Sequence, residues 1–540
     1  MSAVAHSQSG VVTSPHALAS AAGQAVLEQG GTAIEAAVAT GAMLCVVQPQ
    51  MNGLGGDAFW LIADAEGVHG IDGAGRSARA CDRGMYGSNT KIPTRGPLAA
   101  NTVAGLVSTW DKAFEYSRTR WQGRIAWDAL LEPARTCAAE GFALGGQLQG
   151  DLVAKLGELS ACRRFIDQYA PIATLAPAET FKQPALAVSL ASLQREGGEG
   201  FYRGALGRRI AAGLEEAGSP VRVEDLASFE SRWVDPICVP FMRGTLCNLP
   251  PPSQGLASLI ILALAERLGV ARCDPFSADY VHLLVEATRQ AFAIRERYVA
   301  DPDFAPAPLA RLLNAEHLDM LAARVDPHRA GSDIGLQAAG DTVWFGAMDA
   351  HGRAVSVIQS LYFEFGSGIV AGDTGIIWQN RGTSFSLDER HINCLQPCKR
   401  PLHTLNPAMY LEQGRPHLVY GTMGGDGQPQ TQAAIATRAL MFGMPLDEAL
   451  ASPRWLLGKT WGQDSTSLKL ESRFDESVTR ELHARGHVVD LVDCYSQLMG
   501  HAGAIRSLAS GQMEAASDPR SEGRALGVEL RINPWSGVSC

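Results

Sequence analysis

The sequence predicts an α+β fold in which layers of helix cover a largely antiparallel sheet. Three observations point there. Ala-rich helical periodicity opens the chain. Two hairpins share nearly the same turn, "DAEG" at 64–67 and "DAHG" at 349–352. A mostly helical stretch from about 105 to 330 separates these hairpins, and strands dominate again after it. The 540 residues suffice for one large core or two to three ordinary domains, and 46% hydrophobic with 19% charged residues describes a well-packed chain.

The elements follow in order. Ser14 and Pro15 have the chemistry of an N-cap and a first helical position, and "HALASAAGQAVLEQ" reads as helix up to Gly30-Gly31. Thr32 and Glu35 have capping-box spacing, so a second helix is expected to run to about Val47. Ala58 to Ala63 and Val68 to Asp72 read as a hairpin. "LASLIILALAERLG" and "ADYVHLLVEATRQAFAIRERYVA" are helices, the first entered from the rigid loop "LPPPSQG". The second hairpin pairs Thr342–Met348 with Ala354–Leu361, and a further helix lies near "TQAAIATRALMFG". "DPDFAPAPLA" is the one weak candidate for a boundary.

Composition excludes several classes. A formal net charge of -10 argues against a general nucleic-acid binder. No uninterrupted apolar stretch reaches membrane-spanning length, and the N-terminus lacks the pattern of a secretory signal. Eleven scattered cysteines fit a reduced, cytoplasmic setting. Cys394 and Cys398 read as two free thiols, because no second Cys/His pair at zinc spacing accompanies them. The chain has no G-x-S-x-G elbow, H-E-x-x-H pair or Walker A loop. "GLGGD" at 53–57 precedes a strand, so it reads as a tight turn or close backbone contact rather than a phosphate loop.

One threonine stands out. Gly340 and Asp341 lead directly into Thr342, which opens a strand. A threonine hydroxyl is a poor nucleophile without a base. Cutting the chain before Thr342 would free its α-amino group, whose pKa of about 7.7–8.0 suits a general base near neutrality. Cleavage between Asp341 and Thr342 would thus create nucleophile and base together.

The surroundings strengthen this reading. "GDTVWFGAMDAHGRAVSVIQSLYFEFGSGIV" resembles the processing-site segment of the γ-glutamyltranspeptidase family, N-terminal-nucleophile hydrolases that cut themselves before a threonine. "NGLGGDAFWLI", "PPPSQG", "KRPLHTLNPAM", "GTMGGDGQPQ" and "ASDPRSEGRALG" resemble further family blocks in the same order, from about residue 10 to 530. The resemblance implies an αββα four-layer sandwich. It implies a large fragment, 1–341, and a small fragment, 342–540, forming one intertwined fold. It makes Thr342 nucleophile and base, places a second hydroxyl at Ser360, and gives Gly424 and Gly425 the role of backbone donors to the oxyanion. No cofactor, no metal and no nucleic-acid or membrane partner is expected, and a higher oligomer stays open.

The substrate-binding positions depart from the family pattern. Ala74 stands where the family has the arginine for an α-carboxylate, Tyr362 replaces an asparagine, Ser384 replaces the aspartate for an α-amino group, and His403-Thr404 replace a serine pair. A free amino-acid end would bury both its charges without partners, which is costly. Arg76 and Arg381 are the candidate anchors for a carboxylate arriving from a new direction, and His403 and Thr404 are further candidate substrate-binding residues by their motif position. The expectation is therefore an amidohydrolase for a small carboxylate-bearing amide such as oxamate. A glutathione-acting γ-glutamyl hydrolase or transferase, a cephalosporin acylase, and an unprocessed non-enzymatic scaffold remain the alternatives.

Overall fold

Alternation in the strand that begins at Asp341 organises the molecule. The computed structural model describes residues 4–176, 179–331, 341–458 and 466–529. Side chains on a strand point to opposite faces in turn. Val343, Phe345 and Ala347 accordingly join one apolar cluster with the surrounding helices, while Trp344 and Met348 join another that lies between two sheets.

The first sheet has seven strands in the order Arg524–Gly527, Gly10–Ser14, Asp341–Asp349, Ala354–Tyr362, Asp57–Asp64, Gly67–Asp72 and Arg232–Val234. The second also has seven, in the order Ala5–Ser7, Met513–Ser517, Ala502–Ser507, Arg415–Thr422, Ala408–Glu412, Gly244–Asn248 and Ile237–Phe241. Every pairing within both is antiparallel. Phe59, Leu61, Trp344 and Ile358 from the first sheet meet Met409, Val419 and Ile505 from the second. Trp344 sets the approach. A Cβ on Gly421 would lie 2.2 Å from its Cδ1, and one on Gly503 would lie 2.5 Å from its Cζ3. The indole thus fits only against bare backbone on the facing sheet.

Helices cover both outer faces. Ala17–Glu28, Ala33–Val47 and Leu106–Arg120 pack on the first sheet, and Gly255–Arg267 and Ala278–Tyr298 on the second. This is the αββα sandwich. Both sheets interleave strands from either side of residue 342, so each piece of the chain lacks strands the other holds.

The capping box at Thr32 and Glu35 forms, and the second helix ends at Val47. The first helix starts later than its sequence suggests. His16 is the N-cap, because Ser14 is held as the last residue of a strand. The Pro-rich stretch is not a boundary: Asp301 within it is fully buried and pairs with Arg400 at 2.7 Å. Among the cysteines, the reduced reading missed one pair. Cys238 and Cys247 are opposite in register across a hairpin, with Cα atoms 4.3 Å apart, and form a disulfide. Cys394 and Cys398 are free thiols. No helix among the described residues is long and apolar enough to cross a membrane.

Candidate active site

Thr342 lies at a β-bulge. Asp341 faces Tyr362 and Val343 faces Gln359, so two residues, Ser360 and Leu361, oppose the single Thr342. Such bulges re-aim side chains. Thr342 is 1% exposed, and its Oγ1 receives the Gln428 Nε2–H at 3.5 Å. The Ser360 Oγ, on the facing strand, accepts the Tyr362 N–H at 2.7 Å. Gly340 lies outside the described residues.

The "GLGGD" loop packs against this bulge. A Cβ on Gly56 would meet the Ser360 carbonyl oxygen at 2.3 Å, so the close-contact reading of the motif holds. Gly424 and Gly425 form a turn before the helix Gln428–Ala436, with φ of 112° and 52°. A Cβ on Gly424 would touch little, so backbone conformation rather than space requires glycine there. Gln428, which contacts Thr342, follows directly on this turn. Three residues fix the turn. Gln254 Nε2 donates to the Gly425 carbonyl at 2.8 Å and to the Thr404 carbonyl at 2.7 Å. Arg295 donates to Gln254 Oε1 at 2.9 Å and pairs with Asp426 at 2.9 Å.

The "PPPSQG" and "KRPLHTLNPAM" motifs dock together. Gln254 N–H donates to the His403 carbonyl at 2.9 Å, and His403 N–H to the Pro252 carbonyl at 2.8 Å. Thr404 Oγ1 accepts from Arg381 Nη1 at 3.0 Å. The Arg381 guanidinium also stacks on the Tyr362 ring, 3.8 Å from its centroid. Arg381 is 1% exposed, yet its Nε and Nη2 have no hydrogen-bond partner among the described residues. Burial lowers its pKa to about 10, which leaves it charged at neutral pH. Tyr362 has φ of 85°, and burial pushes its hydroxyl up to about 12.

His403 is fully buried and faces Asp57, Nε2 to Oδ2, at 3.0 Å. Burial and the nearby Arg381 charge hold it neutral, well below the usual histidine range. Burial pushes the Asp57 carboxyl up to about 7, against the donors Gly105 N–H and Gln379 and the Arg381 charge.

Thr342, Ser360, Tyr362, Arg381, His403, Thr404, Gly424 and Gly425 therefore form one connected region. Ser384 is occupied structurally, its Oγ donating to the Leu402 carbonyl at 2.9 Å. Ala74 is buried and its N–H donates to Asp72 at 2.8 Å. Arg76, the other candidate anchor, already has partners of its own. Its guanidinium donates to the Cys398 carbonyl at 2.7 Å and pairs with Asp303 at 2.7 Å. It lines, with Cys398, a cleft of about 680 Å³ whose lining includes neither Thr342 nor Arg381. Sequence reasoning missed Asp57, Gln254, Arg295 and Gln428. All but Arg295 lie inside motifs, but nothing in a single sequence pairs residue 57 with residue 403.

The γ-glutamyltranspeptidase family model matches residues 19–528. The chain is 46% identical over 521 residues to the oxamate amidohydrolase proenzyme of Klebsiella pneumoniae, covering 96% of this chain and 98% of the relative. It is 40% identical over 526 residues to the glutathione hydrolase-like YwrD proenzyme of Bacillus subtilis, covering 96% and 98%. The crystal structure of cephalosporin acylase from Bacillus halodurans superposes with a TM-score of 0.89 at 30% identity, covering 98% of this chain and 97% of that one. The chain thus belongs to the γ-glutamyltranspeptidase family and is an amide hydrolase of the N-terminal-nucleophile type.

Proposed function

We propose that the protein is a self-processing threonine amidohydrolase whose substrate is a small amide bearing a carboxylate beside the scissile carbonyl, of which oxamate is the simplest. The observation that carries this reading is Arg381, a buried cation with two N–H groups unpartnered among the described residues, one stacked ring away from the nucleophile strand. A buried charge needs pairing. A carboxylate would supply it in the fork geometry that guanidinium favours. The relative named an oxamate amidohydrolase supports the same substrate class.

The chemistry runs in two stages. In the uncut chain the Thr342 nitrogen is an amide, so cleavage after Asp341 must come first. In the mature protein the Thr342 amine takes the proton of Oγ1 as the oxygen attacks the acyl carbon. The carbonyl electrons move onto the oxyanion, which the Gly424 and Gly425 N–H groups receive. Preorganised donors of this kind are each worth about 2.7–4 kcal/mol. Collapse breaks the C–N bond, and the ammonium of Thr342 returns the proton to the leaving ammonia. Water then attacks the acyl ester, losing its proton to the same amine, and releases oxalate and the free hydroxyl.

Two features favour a neutral or anionic acyl group over γ-glutamyl. Ser384 offers no negative charge to an α-ammonium, and Tyr362 fills space beside Arg381. Mass spectrometry during turnover tests the proposal. The 342–540 fragment should gain the mass of one acyl group, and Thr342→Ala should show neither the gain nor the cut. Acylation of the 1–341 fragment instead would overturn the assignment.

A further inference from the structure

Arg381 is a buried cation that no counter-charge among the described residues touches. Asp57 and Asp426 both act on it through space. Asp426 is held by Arg295. Asp57 is held from three directions. Its Oδ1 accepts from Gly105 N–H at 2.9 Å and from Gln379 Nε2 at 2.9 Å, and its Oδ2 faces His403 Nε2 at 3.0 Å.

The proton on His403 can be placed. The Leu405 N–H points at Nδ1 from 3.4 Å, which makes Nδ1 an acceptor and leaves the proton on Nε2, donated to Asp57. The Phe59 ring packs edge-on at 4.6 Å and keeps the imidazole from turning. Oδ1 of Asp57 therefore already accepts two donors, and the imidazole caps Oδ2, the oxygen that would otherwise be open to a cation.

We propose that Asp57 and His403 are positioning residues that select the acyl group: Asp57 balances Arg381 from a distance, His403 stops the two from closing an ion pair, and the open N–H groups of Arg381 are thereby reserved for an acyl group with a carboxylate and no ammonium. The inference rests on Arg381 as anchor and goes further by naming what keeps that anchor free. It also accounts for the exclusion of ammonium: both acids near Arg381 already have donors.

A proton-linked consequence follows. An anion arriving at Arg381 opposes ionisation of Asp57, so binding should draw a proton onto Asp57 near pH 7. The other groups facing Asp57 do not titrate there. His403 lies well below 6.5, Arg381 near 10, and Tyr202 well above 10. The α-amine of mature Thr342 does titrate nearby, so the measurement must compare variants.

The experiment has two arms on the self-processed protein. In the kinetic arm, oxamate is compared with oxamide, its neutral isostere. His403→Leu should lower the oxamate-over-oxamide ratio of kcat/KM at least tenfold, mainly through KM for oxamate. His403→Gln, which keeps an N–H for Asp57, should restore the ratio to within about threefold. Equal losses for both substrates would mean a merely structural histidine and would overturn the inference. In the calorimetric arm, oxalate is titrated at pH 7 in buffers of different ionisation enthalpy. Proton uptake should be smaller in Asp57→Asn than in the wild type, and equal uptake would also overturn it. This arm needs no turnover, so it decides the inference even if oxamate proves not to be a substrate, a result that would instead refute the proposed function.

Discussion

Replacing Arg381 by methionine should separate binding of the substrate's charge from stability. The wild-type guanidinium offers Nε and Nη2 to a carboxylate. Hydrogen bonds to charged groups contribute about 1.5–3 kcal/mol each, so losing two removes about 3–6 kcal/mol from the transition state. At about 1.4 kcal/mol per decade, kcat/KM for oxamate should fall roughly 10²- to 10⁴-fold. Stability should behave differently. Among the described residues Arg381 has no direct ion pair, only the Thr404 hydrogen bond and the Tyr362 stack. Those losses, about 1 kcal/mol each, oppose the relief of removing an isolated buried charge. The melting temperature should therefore change little, and self-cleavage should proceed. The assay is ammonia release from oxamate and oxamide alongside thermal unfolding. An equal fall for both amides would refute the anchoring role, because oxamide brings no negative charge for Arg381 to read.

Four further outcomes are expected. Intact mass after purification should show fragments 1–341 and 342–540, and Thr342→Ala should leave one uncut chain; a fully active uncut protein would remove the mechanism. Activity should rise with pH as the Thr342 amine loses its proton near about 8, and acetylating that amine should abolish it, whereas retained activity would indicate a side-chain base. Burial raises the Asp57 carboxyl to about 7, so the folded protein holds a proton there that the unfolded chain has released above about 3.9; its contribution to stability should fall as pH rises from about 4 to 7. Thermal unfolding of Asp57→Asn across that range should gain on the wild type, and parallel curves would contradict this. Arg295→Met would leave Asp426 buried without its partner, at a cost of about 3–5 kcal/mol, and should loosen the Gly424-Gly425 turn; unfolding midpoints and kcat would show both, while an unchanged protein would mean that the pair does not hold the turn.

How much of this was legible in the sequence depends on range. The capping box at Thr32 and both hairpins are local patterns, and they formed at the places their residues indicate. Ser14 misled because capping chemistry is also compatible with a strand end, and pairing with Arg524 decides the matter. Two carboxylate anchors were equally open on charge alone. Arg76 has Asp303 and the Cys398 carbonyl, partners over two hundred residues away, and Arg381 lacks their equivalent. The Asp57–His403 contact spans 346 residues and depends on the packing of a turn beneath a loop. No periodicity or spacing carries that information.

The central claim is that Arg381 reads a carboxylate on a small acyl group, where other family members are named for glutathione. Steady-state hydrolysis of oxamate and of glutathione by the same preparation of self-processed protein tests it most directly. The account predicts that kcat/KM for oxamate exceeds that for glutathione by at least a hundredfold. Efficient turnover of glutathione with negligible release of ammonia from oxamate would contradict it.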